Sequence, residues 1–205
     1  MRSAELAAAI RWCAASVAWA ALVGAAAIGA GLAAGSTALV GFGLNSLVDG
    51  GASVTLVWRF RQELRGLQSS HQVETRAARV VGALLALIAL YLVVRASIAL
   101  AEHSGPSASP LGITLSGASI AVLPVLGLNK LRLARSLGSQ ALRADGVLSA
   151  AGAALAAAAL AGLALSTGLD LWWADSVAAL LIALALVRES VLTLRSSRGS
   201  EAASR

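Results

Sequence analysis

The stretch Gly35-Ser-Thr-Ala-Leu-Val-Gly-Phe-Gly-Leu-Asn-Ser-Leu-Val-Asp49 decides the fold, because a weakened copy recurs at Gly138-Ser-Gln-Ala-Leu-Arg-Ala-Asp-Gly-Val-Leu-Ser-Ala-Ala-Gly152. The two copies are 103 residues apart, half of the 205-residue chain. They share Gly35/Gly138, Ser36/Ser139, Ala38/Ala141, Leu39/Leu142, Gly43/Gly146 and Ser46/Ser149. The first copy has Asn45 and Asp49 where the second has Leu148 and Gly152. We therefore expect a duplicated fold in which one half keeps polar side chains that the other lacks.

The composition is that of a membrane protein. Hydrophobic residues make up 58% of the chain and charged residues 13%, whereas soluble domains are roughly 45–50% apolar. The 16 Lys and Arg outnumber the 10 Asp and Glu, a balance that also occurs in nucleic-acid-binding proteins. Here the basic clusters flank apolar stretches, as they do where they orient membrane helices. We therefore expect the chain to lie in a lipid bilayer and not to bind nucleic acid.

The apolar stretches predict an all-α, polytopic fold with six transmembrane helices. About 20 residues are needed to cross a bilayer, and suitable stretches lie near 10–32, 36–58, 78–100, 111–129, 144–166 and 171–190. We expect a single six-helix transmembrane domain over 1–195. Residues 196–205 are predicted to form a short cytoplasmic tail.

The distribution of basic residues predicts the orientation of these spans. Loops 31–35, 101–110 and 167–170 contain no Lys or Arg. Basic clusters follow the even-numbered spans, and one of them comprises Lys130, Arg132, Arg135 and Arg143. Both termini are therefore predicted to be cytoplasmic, in the cell (inner or plasma) membrane.

The number of spans in each half makes the repeat an inverted one. With three spans per half, the two halves enter the membrane in opposite directions. Inverted repeats are a common transporter design, with the substrate site near the midplane where the repeats meet.

Asn45 and Asp49 are the best candidates for chemistry. They are four residues apart and so share one helix face. Counted from Ser36, they lie roughly 14 and 20 Å into the bilayer. An ionisable residue at such depth usually faces a bundle interior or a water-filled path and marks function. The alternative is a helix-packing hydrogen bond made by a protonated Asp49.

Other polar residues have two interpretations each. Asp145 and Asp175 begin spans five and six, where each either stabilises a helix N-terminus or belongs to an ion path. Ser46, Ser53 and Ser149 are either weak oxygen donors to a cation or satisfied helix hydroxyls, and we favour the second interpretation. The sequence has no P-loop, nucleophile elbow or His-Glu-x-x-His motif, so we do not expect an enzyme.

The motifs resemble the cation diffusion facilitators, the cation efflux family of six-helix exporters of zinc and related divalent cations. The resemblance rests on the Gly35–Asp49 stretch with Ala52-Ser53, on Ser139-x-Ala-Leu-Arg-Ala-Asp145, and on Trp172-Trp173-Ala-Asp175 opening span six. Gly41-Phe-Gly43 and Trp58-Arg59 are similar to the compact branch that lacks a cytoplasmic C-terminal domain.

The resemblance implies a divalent metal transporter, acting by cation/proton exchange as a homodimer. In the family, span two supplies two acidic or polar ligands four residues apart, and span five supplies two more, commonly His and Asp. Asn45 and Asp49 match the first pair, whereas Leu148 and Gly152 occupy the places of the second. It implies that the metal residues are Asp49 as principal ligand and proton acceptor, Asn45 as neutral coligand and Asp145 as an attractor of cations from the cytoplasm.

The expected ligands follow from the same resemblance. The transported ion is a divalent cation, with zinc favoured, and no cofactor is expected to be bound permanently. The alternative is a transport-deficient relative acting as a structural or regulatory membrane protein, which the missing ligands of span five favour. Export of organic cations would need an aromatic-lined cavity, and the 4% aromatic content argues against it.

The orientation can be tested by cysteine labelling in a Cys13→Ser background. A cysteine at position 107 should react with an impermeant reagent in intact cells, and one at position 70 only after permeabilisation. Reaction of position 70 in intact cells would contradict the predicted orientation.

Overall fold

The computed structural model describes residues 2–65 and 71–203, and within them it contains six helices and no strands. The helices are α1 (Arg2–Ala34), α2 (Thr37–Leu64), α3 (His71–Ala101), α4 (Pro110–Leu137), α5 (Gln140–Gly168) and α6 (Ala174–Ala203). Each contains a segment long and apolar enough to cross a membrane. The predicted all-α, six-helix fold class is therefore confirmed.

Several helices extend beyond the predicted spans. α3 begins at His71, α4 continues to Leu137 and α6 continues to Ala203. Hydropathy marks the part of a helix that is in lipid, whereas backbone hydrogen bonding continues until the helix is capped. The predicted tail at 196–205 is thus helical to Ala203, while Ser204, Arg205 and the proposed labelling site Ser70 lie outside the described residues.

The sequence repeat is a repeat of structure at the starts of α2 and α5. Gly35 and Gly138 have φ angles of 70° and 64°, in the left-handed region that glycine enters without steric cost. The next residue is in each case a serine N-cap, whose hydroxyl accepts a hydrogen bond from the backbone N–H three residues later. The shared Gly-Ser pairs therefore build the same turn before both helices.

Glycines also set the spacing within the α1–α2 and α4–α5 hairpins. A Cβ at Gly43 would lie 2.9 Å from the carbonyl oxygen of Gly24, and one at Gly146 would lie 3.1 Å from that of Gly127. Both pairs are related by the 103-residue offset of the repeat. Small residues let helix backbones approach closely in membranes, so the two hairpins pack in equivalent ways.

The two halves run in opposite directions. The backbone N–H of Ser107 donates to the carbonyl of Ala34 at 2.8 Å, which places the end of α1 beside the start of α4. α1 packs on α2, α4 on α5 and α3 on α6, while α2 contacts α5 and α1 contacts α4. The fold therefore has the inverted three-plus-three arrangement that the repeat predicts.

We call the end of the bundle where α1 begins the terminal end. α1, α2, α4 and α5 meet there in an apolar cluster of Leu6, Ala9, Cys13, Leu56, Phe60, Ala134 and Leu142. A larger core fills the rest of the bundle and includes Leu39, Phe42 and Leu163. Polar side chains between these two clusters are consequently enclosed by apolar residues on both sides.

The glycine contact predicts a stability difference between two substitutions on α2. Gly43→Ala should destabilise the protein by about 1–3 kcal/mol, because backbone atoms of α1 must move to admit the methyl group. Gly51→Ala is the matched control, since a Cβ there meets no atom within 4 Å. Thermal unfolding in detergent should show a lower midpoint for Gly43→Ala only; equal midpoints would contradict the close packing.

Candidate cation site

Asp49 lies in the interior with an incompletely bonded carboxylate. The residue is 6% exposed. Its Oδ2 accepts a long hydrogen bond of 3.5 Å from the hydroxyl of Ser149 on α5. Its Oδ1 is buried without a hydrogen-bond partner. A buried carboxylate oxygen without a partner is costly, so this atom is a place where a cation or a proton would bind favourably.

Lys130 brings a positive charge into the same region. It is fully buried, and its Nζ lies 2.6 Å from Oδ2 of Asp145 on α5. The ammonium also donates to the hydroxyls of Ser53 and Ser149, at 3.0 Å each. An ammonium has three donors, and these three contacts use all of them.

The sequence-based placement of Lys130 in a basic cluster flanking the membrane is wrong. Arg132, Arg135 and Arg143 are exposed, whereas Lys130 points into the bundle. The reason is that α4 runs on to Leu137 and is capped by Gly138, which places Lys130 about two turns inside the helix. The likeness of Gly138 to Gly35 is the sequence signal that marks this helix end.

Four oxygen-bearing side chains form one network with the ammonium, and we call them the oxygen quartet: Asp49 and Ser53 on α2, Asp145 and Ser149 on α5. Ser53 donates to Oδ1 of Asp145 at 3.0 Å. Ser149 donates to Asp49. Each serine therefore accepts from the ammonium and donates to a carboxylate. Each pair is spaced four residues apart, which puts its two members on one helix face.

The oxygen quartet is displaced by about one helical turn from the positions that the resemblance implies. On α2 the pair is 49/53 in place of 45/49, and on α5 it is 145/149 in place of 148/152. The shift is forward along α2 and backward along α5. Because these helices belong to halves of opposite direction, both shifts lead towards the terminal end.

The three predicted metal residues are thus only partly brought together. Asp49 and Asp145 share the hydrogen-bonded network around Lys130. Among the described residues, Asn45 makes no hydrogen bond to this network. It lines a neighbouring cavity together with Leu148. A Cβ at Gly152 would contact Leu123 of α4 at 3.2 Å. Asp145 is 4% exposed, so it is not placed to attract cations from solvent.

The cavity beside Asn45 has a volume of about 150 Å³ and lies between α2, α5 and α6. Its lining is mostly apolar, with Asn45 at one end and Arg188 and Glu189 on α6. The side chain of Arg188 is 75% exposed, so the cavity extends to the surface of the bundle. Asn45 itself is 3% exposed.

The serine and Asp175 predictions have mixed outcomes. Ser46 bonds the carbonyl of Phe42 at 3.0 Å, as a helix hydroxyl does, but Ser53 and Ser149 bond carboxylates instead. Asp175 accepts from the Ser36 hydroxyl at 2.5 Å and from the N–H of Ala38 at 3.3 Å. It lies in the first turn of α6, as predicted, and it also bonds the N-terminus of α2.

The charges of the site do not balance when all groups are ionised. Two carboxylates and one ammonium carry a net charge of −1, and Asp49, Asp145 and Lys130 are all buried. Buried charges are costly unless they are paired. Among residues 2–65 and 71–203, no three His, Cys, Asp or Glu side chains cluster closely enough to hold a metal ion, so a cation here would rely on serine and amide oxygens as well.

Six membrane-length helices in inverted halves, with buried carboxylates between α2 and α5, define a multi-pass membrane protein with a candidate cation site. The family model described as the cation efflux transmembrane domain matches residues 13–200. The chain therefore belongs to the cation efflux family of membrane-embedded cation transporters. No curated protein matches the chain.

The Lys130–Asp145 pair predicts strong coupling in a double-mutant cycle. Lys130→Met or Asp145→Asn alone should cost about 3–5 kcal/mol, because either change leaves a buried group without its partner. The double variant should lose much less than the sum of the two. Chemical denaturation in detergent measures the three differences, and additive losses would show that the pair is not an energetic unit.

Proposed function

We propose that this protein exports a divalent cation in exchange for protons, with Asp49 as the group that alternately holds the two. The observation that carries the proposal is the buried Oδ1 of Asp49, which has no hydrogen-bond partner. In an apolar bundle such an oxygen favours a bound positive charge. Either a proton or a metal cation would supply this positive charge. Only one of the two can bind the oxygen at a time.

The residues around Asp49 support a transport cycle. Asn45 lies one turn before Asp49 on α2 and lines the cavity that also includes Arg188 and Glu189. Its amide oxygen is a neutral ligand for a cation that moves from this cavity towards Asp49. Asp145 supplies the second carboxylate of the site. Rocking of the inverted halves would expose the site to the two sides in turn.

Enclosure of the site favours alternating access over an open channel. The terminal-end cluster, with Phe60 and Leu142, lies on one side of the oxygen quartet. Leu39 and Phe42 belong to the core on the other side. Asp49 is only 6% exposed in this conformation, so release of a cation from it would need a rearrangement of the helices.

The identity of the cargo has two lines of support that differ. The family resemblance favours zinc. The side chains around Asp49 offer oxygen ligands, which suit magnesium and manganese better than the nitrogen and sulfur donors that zinc commonly takes.

We propose a homodimer in the cell membrane with cytoplasmic termini, and no permanently bound cofactor or enzymatic activity.

A second candidate is favoured by the buried lysine. The ammonium of Lys130 already neutralises Asp145, and Leu148 and Gly152 supply no ligands. A transport-deficient relative with a structural or regulatory role in the membrane would have these features. Absence of flux for every cation tested in the unmodified protein would favour this candidate.

Transport in liposomes tests the role of Asp49. Flux of zinc, manganese, cobalt and magnesium should be driven by an opposing pH gradient in the unmodified protein. Asp49→Asn should reduce it at least about 100-fold, because the variant removes the charge that binds both cation and proton. Asn45→Ala should have a milder effect, since a neutral ligand is lost.

Asp175→Asn is the matched control for this experiment. Asp175 is also a buried carboxylate on a membrane helix, but it caps α2 and lies outside the oxygen quartet. Its amide variant keeps an oxygen that accepts from Ser36, so we expect near-normal flux. If the unmodified protein transports and Asp49→Asn transports equally well, Asp49 does not carry the exchange.

A further inference from the structure

Lys130 places a positive charge among the side chains of the oxygen quartet. Its Nζ lies 2.6 Å from Asp145 and 3.0 Å from each of the two serines. Through Ser149 it is connected to Asp49. Three of the four side chains thus contact a positive charge that belongs to the protein, and Asp49 is joined to it through Ser149.

We propose that Lys130 is a tethered competitor of the transported cation, and that it sets the affinity of the site for divalent ions. The proposal rests on the function proposed above, because the ion with which Lys130 competes is the proposed cargo. It goes further in naming a residue of α4 that determines how tightly that ion binds.

The charges of the site give the physical reason. With both carboxylates ionised, Lys130 leaves a net charge of −1, which a single proton neutralises. A divalent cation added beside the ammonium would give a net charge of +1 among buried groups, which is unfavourable. A divalent cation therefore binds well only when the ammonium leaves the oxygen quartet.

A purely structural role for the lysine does not account for the unfilled part of the site. Asp49 is nine-tenths buried, yet its Oδ1 has no partner while the ammonium bonds three other groups. The lysine thus neutralises Asp145 and leaves Asp49 for a further positive charge. This arrangement accommodates a proton beside the ammonium and opposes a divalent ion.

The test compares divalent cation binding in Lys130 variants by calorimetry in detergent, with zinc and manganese as the two probes. Lys130→Met keeps the length and apolar stem of the side chain and removes its charge. We expect at least one of the two ions to bind at least tenfold more tightly than it does to the unmodified protein. Lys130→Arg keeps the charge and should show no gain. Arg132→Met, an exposed cation two residues further along α4, should also leave the affinity unchanged.

A second pair of variants keeps the test decisive if Lys130→Met does not fold because Asp145 loses its partner. Asp145→Asn is compared with Asp145→Asn/Lys130→Met, in which neither member of the ion pair remains charged. Removal of the lysine should again raise the affinity at least tenfold in this background. Size-exclusion chromatography establishes that each variant is folded before titration.

The outcomes separate this inference from the proposed function. Unchanged or weaker binding after removal of Lys130, in whichever background folds, overturns the competitor role even if the unmodified protein transports cations. A gain in affinity limited to variants that lack the lysine charge supports it. If that gain occurs while the unmodified protein shows no flux, the proposed transport activity fails and the competitor role stands.

Discussion

The ammonium of Lys130 lies inside an apolar bundle, and the packing of α2, α4 and α5 depends on where its charge is neutralised. Its 2.6 Å contact with Asp145 joins the two helices of the second hairpin. Its bond to Ser53 reaches across to α2, in the other half of the repeat. Because a buried charge without its partner is strongly unfavourable, these contacts hold the two halves together at the level of the candidate site.

The repeat explains why this cluster is asymmetric. Moving each residue by the offset of the repeat places Phe42 where Asp145 lies and Ala27 where Lys130 lies. Both are fully buried in the apolar core. The glycine contacts and serine caps are retained in both halves, whereas the charged pair exists in one. The shared features build the scaffold, and the divergent features give one side of the bundle its chemistry.

Much of the scaffold was predictable because its signals are local. Apolar stretches gave the six spans, and the Gly-Ser pairs at 35–36 and 138–139 marked equivalent turns. The predicted helix ends were less accurate, because hydropathy indicates which residues lie in lipid and not where the backbone hydrogen bonds of a helix end. Asp49 was predictable from its depth in span two. Family membership follows from the match over residues 13–200.

The composition of the site was not predictable from local patterns, because it depends on which way a side chain turns at a helix end. A lysine near the end of an apolar stretch ordinarily extends towards the membrane surface, and the arginines that follow Lys130 are exposed. Lys130 turns inward because Asp145 is one helix away and the serines complete its hydrogen bonds. Leu148 and Gly152 carry no charge, so the charged groups of the network are Asp49, Asp145 and the ammonium that lies beside Asp145. The charge balance of the site therefore depends on a residue of α4 as well as on α2 and α5.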